Sequence, residues 1–111
     1  MIHHIAIATE NVKKMADFYK RLPGLKWKED KFNEAGNLRS VWLETENGCL
    51  VMIEDFPKPK APEALIFKYQ ITYNFNDINL TITKQTDYTF YFLDPDGNQL
   101  GYSAYPEKLK L

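Results

Sequence analysis

Ile2 to Thr9 is a short apolar run rich in Ile and Ala and bounded by polar residues, which predicts a buried strand. From Glu10 the period changes. Val12, Met15, Ala16, Tyr19 and Leu22 recur at helical spacing, with Lys13, Lys14, Asp17 and Lys20 on the opposite face. Asn11 is placed to cap this helix, and Pro23-Gly24 stops it. A second strand is expected over Leu25 to Asp30, with a turn at Asn33 to Asn37. Leu38 to Thr45 and Gly48 to Asp55 then read as two strands around Glu46-Asn47-Gly48, a hairpin signal.

Phe56 to Ala64 contains three prolines, which excludes a helix or a central strand and predicts an extended connector. The second half restarts with a strand over Leu65 to Phe75. His4 to Val12 aligns without gaps on Gln70 to Ile78, the trace of an internal repeat. In the next stretch Ile78, Leu80 and Ile82 alternate with Asn79, Thr81 and Thr83, a period of two that predicts a strand rather than a helix. Tyr88 to Leu93 is an aromatic strand, Asp94 to Asn98 a tight turn, and Gln99 to Ala104 the last strand. The tail from Pro106 is polar and expected to be loose. The order is β-α-β-β-β, a linker, then β-(strand or very short helix)-β-β. The expected fold is α+β in a single domain over 1–111, with a first module 1–55, a linker 56–64 and a second module 65–105.

Composition narrows the function classes. A chain of 111 residues suits one domain. Seven Tyr, seven Phe and two Trp can build a core or an aromatic-lined pocket. A net charge of -1 with no basic block offers nothing to nucleic acid or an anionic membrane surface. No apolar run is long enough to span a bilayer, and MIHHIAIATE lacks the features of a signal peptide. Cys49 stands alone, so no intrachain disulfide or thiolate metal cluster forms. A cytoplasmic protein is the expectation.

H-I-A-I-A-T followed by N-V-K-K-M-A-D-F-Y-K-R-L-P-G-L, and the late F-Y-F-L-D-P-D-G-N-Q-L, resemble the vicinal oxygen chelate superfamily. That superfamily includes glyoxalase I, bleomycin-resistance proteins, extradiol dioxygenases and methylmalonyl-CoA epimerase. The resemblance covers nearly the whole chain. It implies paired βαβββ modules forming curved mixed sheets around a cavity, the second module here shortened, with its helix reduced or missing. It also implies a homodimer. A missing helix would leave an apolar sheet face that a second copy could cover.

The family's metal enzymes take ligands from four strand positions. His4 matches the first. Imidazole suits Zn, Ni or Fe, while the plainer reading is a hydrogen-bonded histidine in a cavity wall. Its neighbour His3 has opposite parity. The repeat puts Gln70 at the equivalent place in the second module, as a weak ligand or a polar wall residue, with Lys68 the same-face alternative. The first glutamate position falls on Met52, and a thioether does not replace a carboxylate. Glu54 shares its parity and would need a bulge to reach the site. The last position, Glu in the family's D-P-D-G-N-x-[I/L]-E, is Gly101, whose purpose is expected to be space for a ligand or another backbone. The expectation is therefore no complete metal site. If one existed, its ligands would be His4, Gln70 and Glu54, with Zn, Ni, Fe or Mn as the cofactor.

Strand parity assembles an expected ligand pocket from His4, Trp42, Met52, Gln70, Thr72, Gln99, Gly101 and Ser103, with Phe90 and Phe92 contributing. Glu44 is a further wall, and Arg39 could fix an anionic ligand. Three functions compete. One is a bleomycin-resistance-like binder of a small hydrophobic or aromatic molecule without a metal. The others are a metal-dependent lyase, isomerase or dioxygenase of glyoxalase type, and a ligand-free dimerisation module. No catalytic residue is assigned.

Overall fold

The computed structural model describes residues 3–57 and 64–110. The chain divides into two compact units, Met1–Lys60 and Ala61–Leu111. Most of the expected linker lies outside the described residues. No described helix is long and apolar enough to cross a membrane.

The first unit is βαβββ. It runs β1 (His4–Thr9), α1 (Val12–Tyr19), β2 (Leu25–Phe32), β3 (Leu38–Thr45) and β4 (Leu50–Asp55). The sheet order is β1-β4-β3-β2, with β1 parallel to β4 and the other pairs antiparallel. Asn11 caps α1 as its short side chain allows: its Oδ1 accepts the Lys14 backbone N–H at 3.1 Å. The apolar stripe of α1, led by Met15 and Tyr19 at 0% exposure, packs on β3 and β4. Burying side chains of this size contributes about 1.5–3 kcal/mol each. The helix therefore covers the sheet face that carries Val41, Leu43, Val51 and Ile53, all buried. The β3–β4 hairpin turns where expected, with Gly48 at φ +88° and its N–H donating to the Thr45 carbonyl at 3.0 Å.

The second unit holds β5 (Leu65–Lys68), β6 (Ile82–Gln85), β7 (Thr89–Leu93) and β8 (Gln99–Ser103) in the order β5-β8-β7-β6. Three expectations change here. The strand expected over Leu65 to Phe75 ends at Lys68. The alternating stretch from Ile78 is irregular as far as Thr81, and β6 begins only at Ile82. No described residue of this unit is helical, as the shortened module implied, yet the sheet face is not left bare. Phe75 from the irregular segment packs edge-on to Tyr102 at 4.9 Å and to Phe90 at 5.4 Å between ring centroids. Tyr73 meets Tyr102 at 6.0 Å, and Ile78 is buried. Aromatic side chains on irregular backbone thus do the covering that a helix would do, which removes the reason given above for a second copy at this face.

The expected turn after β7 forms as its residues demand. Asp94 is buried, and its Oδ1 accepts the backbone N–H groups of Asp96 at 2.9 Å and Asn98 at 2.8 Å. Gly97 takes φ +85°. The tail is tied rather than loose: the Leu109 N–H donates to the Asp87 carbonyl at 2.8 Å, and the Tyr69 hydroxyl to the Lys110 carbonyl at 3.1 Å.

Candidate functional site

The first sheet has one face without a helix. In-register pairing decides which side chains share it. Ala6 and Met52 are partners across β1 and β4, and Met52 and Trp42 are partners across β4 and β3. Ala8, Glu54 and Ser40 form the next row, and His4, Leu50 and Glu44 the row on the other side. His4, Trp42 and Met52 therefore lie on one face. The His4 and Trp42 rings approach to 5.3 Å between centroids. His3 is exposed and sits against His4, with their Nδ1 atoms 3.0 Å apart. Arg39 alternates onto the opposite face and is exposed, so it is not part of this surface.

Two polar atoms on this face are buried without a partner among the described residues: Trp42 Nε1 and Ser40 Oγ. Ser40 is 1% exposed. A buried donor left unpaired costs about 1–3 kcal/mol, so most such groups in folded proteins are satisfied. Both orphans lie on β3 and alternate onto the same side. Trp42 was expected here. Ser40 was not, although its parity with Trp42 was available in L-R-S-V-W-L-E-T. Of the acidic groups nearby, Glu44 is engaged by Lys28 at 3.4 Å. Glu54 stands opposite Ser40 and is half-buried.

In the second unit the expected pocket set divides. Gln99, Gly101 and Ser103 share one face with Ile66, Lys68 and Tyr91. Phe90 and Phe92 pair with Tyr102 and Leu100 on the opposite face, at 2% and 0% exposure. They are core residues, and burial pushes the adjoining Tyr102 hydroxyl far above the usual phenol range, with Tyr73 adding to the shift. Gln70 and Thr72 lie beyond the end of β5, where the strand has given way to a turn.

Gly101 is also not an opening for a ligand. It is buried, with Ile66 and Tyr91 as its partners on either side. A Cβ at this position would meet the Phe90 carbonyl oxygen at 2.8 Å, Ile66 Cδ1 at 2.9 Å and the Tyr91 ring at 3.3 Å. Of the two expectations for the space, the neighbouring backbone fills it, together with two side chains that lean over the glycine.

These residues do not fit a metal centre of the family's kind. Pairing sets the counterpart of His4. His4 lies opposite Leu50, two residues before Met52. Leu65 lies opposite Leu100, so the same register one residue back sets Ala64 opposite Gln99, two residues before Gly101. The four positions are then His4, Met52, Ala64 and Gly101, and one nitrogen donor falls short of the three protein ligands a catalytic site takes. Glu54 does not repair the set. No bulge interrupts its strand's pairing, and it sits opposite Ala8, four residues from His4, or roughly 13 Å along the strand. Among the described residues no three His, Cys, Asp or Glu are grouped to hold a metal ion.

Residues 1–84 match the family model described as Glyoxalase/Bleomycin resistance protein/Dioxygenase superfamily. No curated protein matches the chain significantly. Solved structures share its fold at low identity. Lactoylglutathione lyase from Agrobacterium tumefaciens is 14% identical, with 93% of this chain and 92% of that one covered at a TM-score of 0.66. TnmS3, an antibiotic binding protein from Streptomyces sp. CB03234, is 19% identical, with 93% of each chain covered at 0.65. A variant of the fosfomycin resistance protein FosX from Listeria monocytogenes, in complex with Mn(II) and 1S,2S-dihydroxypropylphosphonic acid, is 13% identical, with 94% and 91% covered at 0.65.

Proposed function

Because the chain belongs to the glyoxalase/bleomycin resistance protein/dioxygenase superfamily, we propose that it binds a small hydrophobic or aromatic molecule without a metal, on the helix-free face of its first sheet. The observation that carries this reading is the helix-free face itself, on which pairing brings His4, Trp42 and Met52 together. Met52 and the His4–Trp42 ring contact supply its apolar and aromatic surface. A mostly apolar surface with a few convergent polar groups is how small-molecule sites are built.

A glyoxalase-type lyase, isomerase or dioxygenase is the alternative the family admits. Donor chemistry opposes it, because no side-chain nitrogen or oxygen stands at three of the four ligand positions. A ligand-free module is the second alternative. Self-association belongs to the proposal as well. Its support is no longer an uncovered core face but the exposed Ile66, opposite Gly101, and Leu93, opposite Gln99, on one face of the second sheet. Sedimentation equilibrium reads it directly.

The test joins metal content to ligand binding. Protein is stripped with chelator, re-equilibrated with Zn²⁺, Ni²⁺, Mn²⁺ or anaerobic Fe²⁺, freed of excess metal and assayed by mass spectrometry. The proposal expects no metal above background, in wild type and His4→Ala alike. It expects saturable binding of an aromatic compound, unchanged by chelator, in equilibrium dialysis. Stoichiometric metal that is lost in His4→Ala would restore the enzyme reading. Metal-free protein that takes up no aromatic compound would leave the ligand-free module.

A further inference from the structure

The chain has two histidines, His3 and His4, and both are exposed. Neighbours along a strand point to opposite faces, so their rings would ordinarily part. Here they meet. β1 is the edge strand of its sheet, and at its start the two Nδ1 atoms lie 3.0 Å apart and the ring centroids 5.2 Å apart. The backbone beneath is held. His4 pairs with Leu50 on β4, and the His3 carbonyl accepts the Leu50 N–H at 3.3 Å. Only the ring torsions remain to be set.

One Nδ1–H donates to the other Nδ1. Moving that proton to Nε2 of its own ring leaves two lone pairs on neighbouring nitrogens with no net ionisation. A metal ion bonded at about 2.0–2.1 Å to both nitrogens, held 3.0 Å apart, subtends an N–metal–N angle of about 95°. That is the cis angle of a square-planar or tetragonal site, the geometry of Cu²⁺ and Ni²⁺, and it falls short of the ~109° of tetrahedral zinc. Copper also heads the affinity order for nitrogen donors. Zn²⁺, Ni²⁺, Mn²⁺ and Fe²⁺ bind two imidazoles more weakly and leave with the excess metal, so the metal assay above does not register this pair.

We infer that His3 and His4 form a bidentate Cu²⁺ site, through both Nδ1 atoms, at the open edge of the first sheet. The site differs from the family's ligand set, in which His3 holds none of the four positions. Among the described residues no third His, Cys, Asp or Glu joins the pair, so water fills the remaining positions on the metal. The site is independent of the aromatic-binding reading and stands or falls without it.

The experiment titrates copper(II) chloride into the full, chelator-stripped chain at neutral pH in a non-coordinating buffer. Electron paramagnetic resonance counts bound Cu²⁺ and reads its nitrogen ligands. The indole N–H signals of ¹⁵N-labelled protein locate it, because paramagnetic broadening falls steeply with distance. The His4 and Trp42 rings are 5.3 Å apart, whereas Trp27 lies on β2, three strands over and about 14 Å from β1. One Cu²⁺ per chain is expected, with the Trp42 signal lost well before that of Trp27. His3→Ala and His4→Ala should each weaken copper binding about tenfold or more, since either change removes the intramolecular second ligand. Both side chains are exposed, so an unchanged urea midpoint is expected in each variant. No saturable uptake at one equivalent overturns the inference. So does dependence on one histidine alone: His4 without His3 would mean a site of the family's kind, and His3 without His4 a single imidazole. Zn²⁺ that binds as tightly as Cu²⁺ overturns the geometry given to the pair.

Discussion

Replacing Gly101 with alanine separates a glycine kept for a ligand from a glycine kept by its own sheet, because the two accounts differ in sign. Glycine inside a strand is less favourable than alanine by about 0.5–1 kcal/mol, through the extra freedom it loses on folding. If the space beside Gly101 were open, Gly101→Ala would therefore stabilise the protein. The geometry predicts the reverse. The added methyl would sit 2.8 Å from the Phe90 carbonyl oxygen, 2.9 Å from Ile66 Cδ1 and 3.3 Å from the Tyr91 ring. Ile66 Cδ1 is the end of a flexible side chain on an exposed residue and can swing away at little cost. The Phe90 carbonyl is backbone in the β7–β8 ladder and moves only with the strand. Overpacking of this kind costs about 1–3 kcal/mol, which outweighs the propensity gain. The net expectation is a loss of about 0.5–2 kcal/mol, read as a lower urea midpoint at unchanged slope. A Gly101→Ala protein as stable as wild type or more so would refute the reasoning. Gly101→Glu, which restores the family's residue type, should destabilise at least as much and recruit no metal.

Further predictions follow from the second unit and its turn. Tyr102 is a buried acid whose folded-state pKa is raised by desolvation, so its contribution to stability is present below the unfolded value near 10 and falls as pH rises above it. Tyr102→Phe should make the alkaline decline shallower by about one proton, ~1.4 kcal/mol per pH unit, in urea titrations between about pH 10 and 11.5. An unchanged slope would contradict it. Phe75→Ala removes the ring that packs on Tyr102 and Phe90 and should cost about 3 kcal/mol, measured by the same unfolding assay. Asp94→Ala strands two backbone N–H groups and the Asn98 amide, which donates to Asp94 Oδ2 at 2.7 Å, and should cost about 2–3 kcal/mol.

Local chemistry made the first unit legible. Asn11 caps, Pro23-Gly24 stops, and Gly48 turns because each residue type favours one backbone outcome within a few positions. Parity alone put His4, Trp42 and Met52 on one face, and it would have added Ser40 had the alternation been followed one step back along β3. The second unit was harder for physical reasons. Ile78, Leu80 and Ile82 alternate like a strand, but Ile78 is drawn into the core while Ile82 joins an edge strand, so one local pattern serves two tertiary ends. Phe90 and Phe92 looked like pocket walls because strand parity was not yet anchored to the ladder. Tyr91, not Phe90, is the partner of Gly101. The repeat placed Gln70 opposite His4 in function, and only the β5–β8 register transfers that place to Ala64. Length cues failed at the tail, where Leu109 and Lys110 bond back to Asp87 and Tyr69 over separations no local rule reaches.

The measurement that bears most directly on a metal-free aromatic site at Trp42 is the indole N–H signal of that residue in ¹⁵N-labelled, chelator-treated protein. Trp27 provides an internal reference, since it is exposed and its indole N–H already donates to Asp30 at 2.7 Å. Titration with 1-acetylnaphthalene should move the Trp42 indole signal saturably, through ring contact on the helix-free face, and leave Trp27 in place. A Trp42 signal that stays fixed while the probe is added, or that moves only linearly and in step with Trp27, would contradict the account.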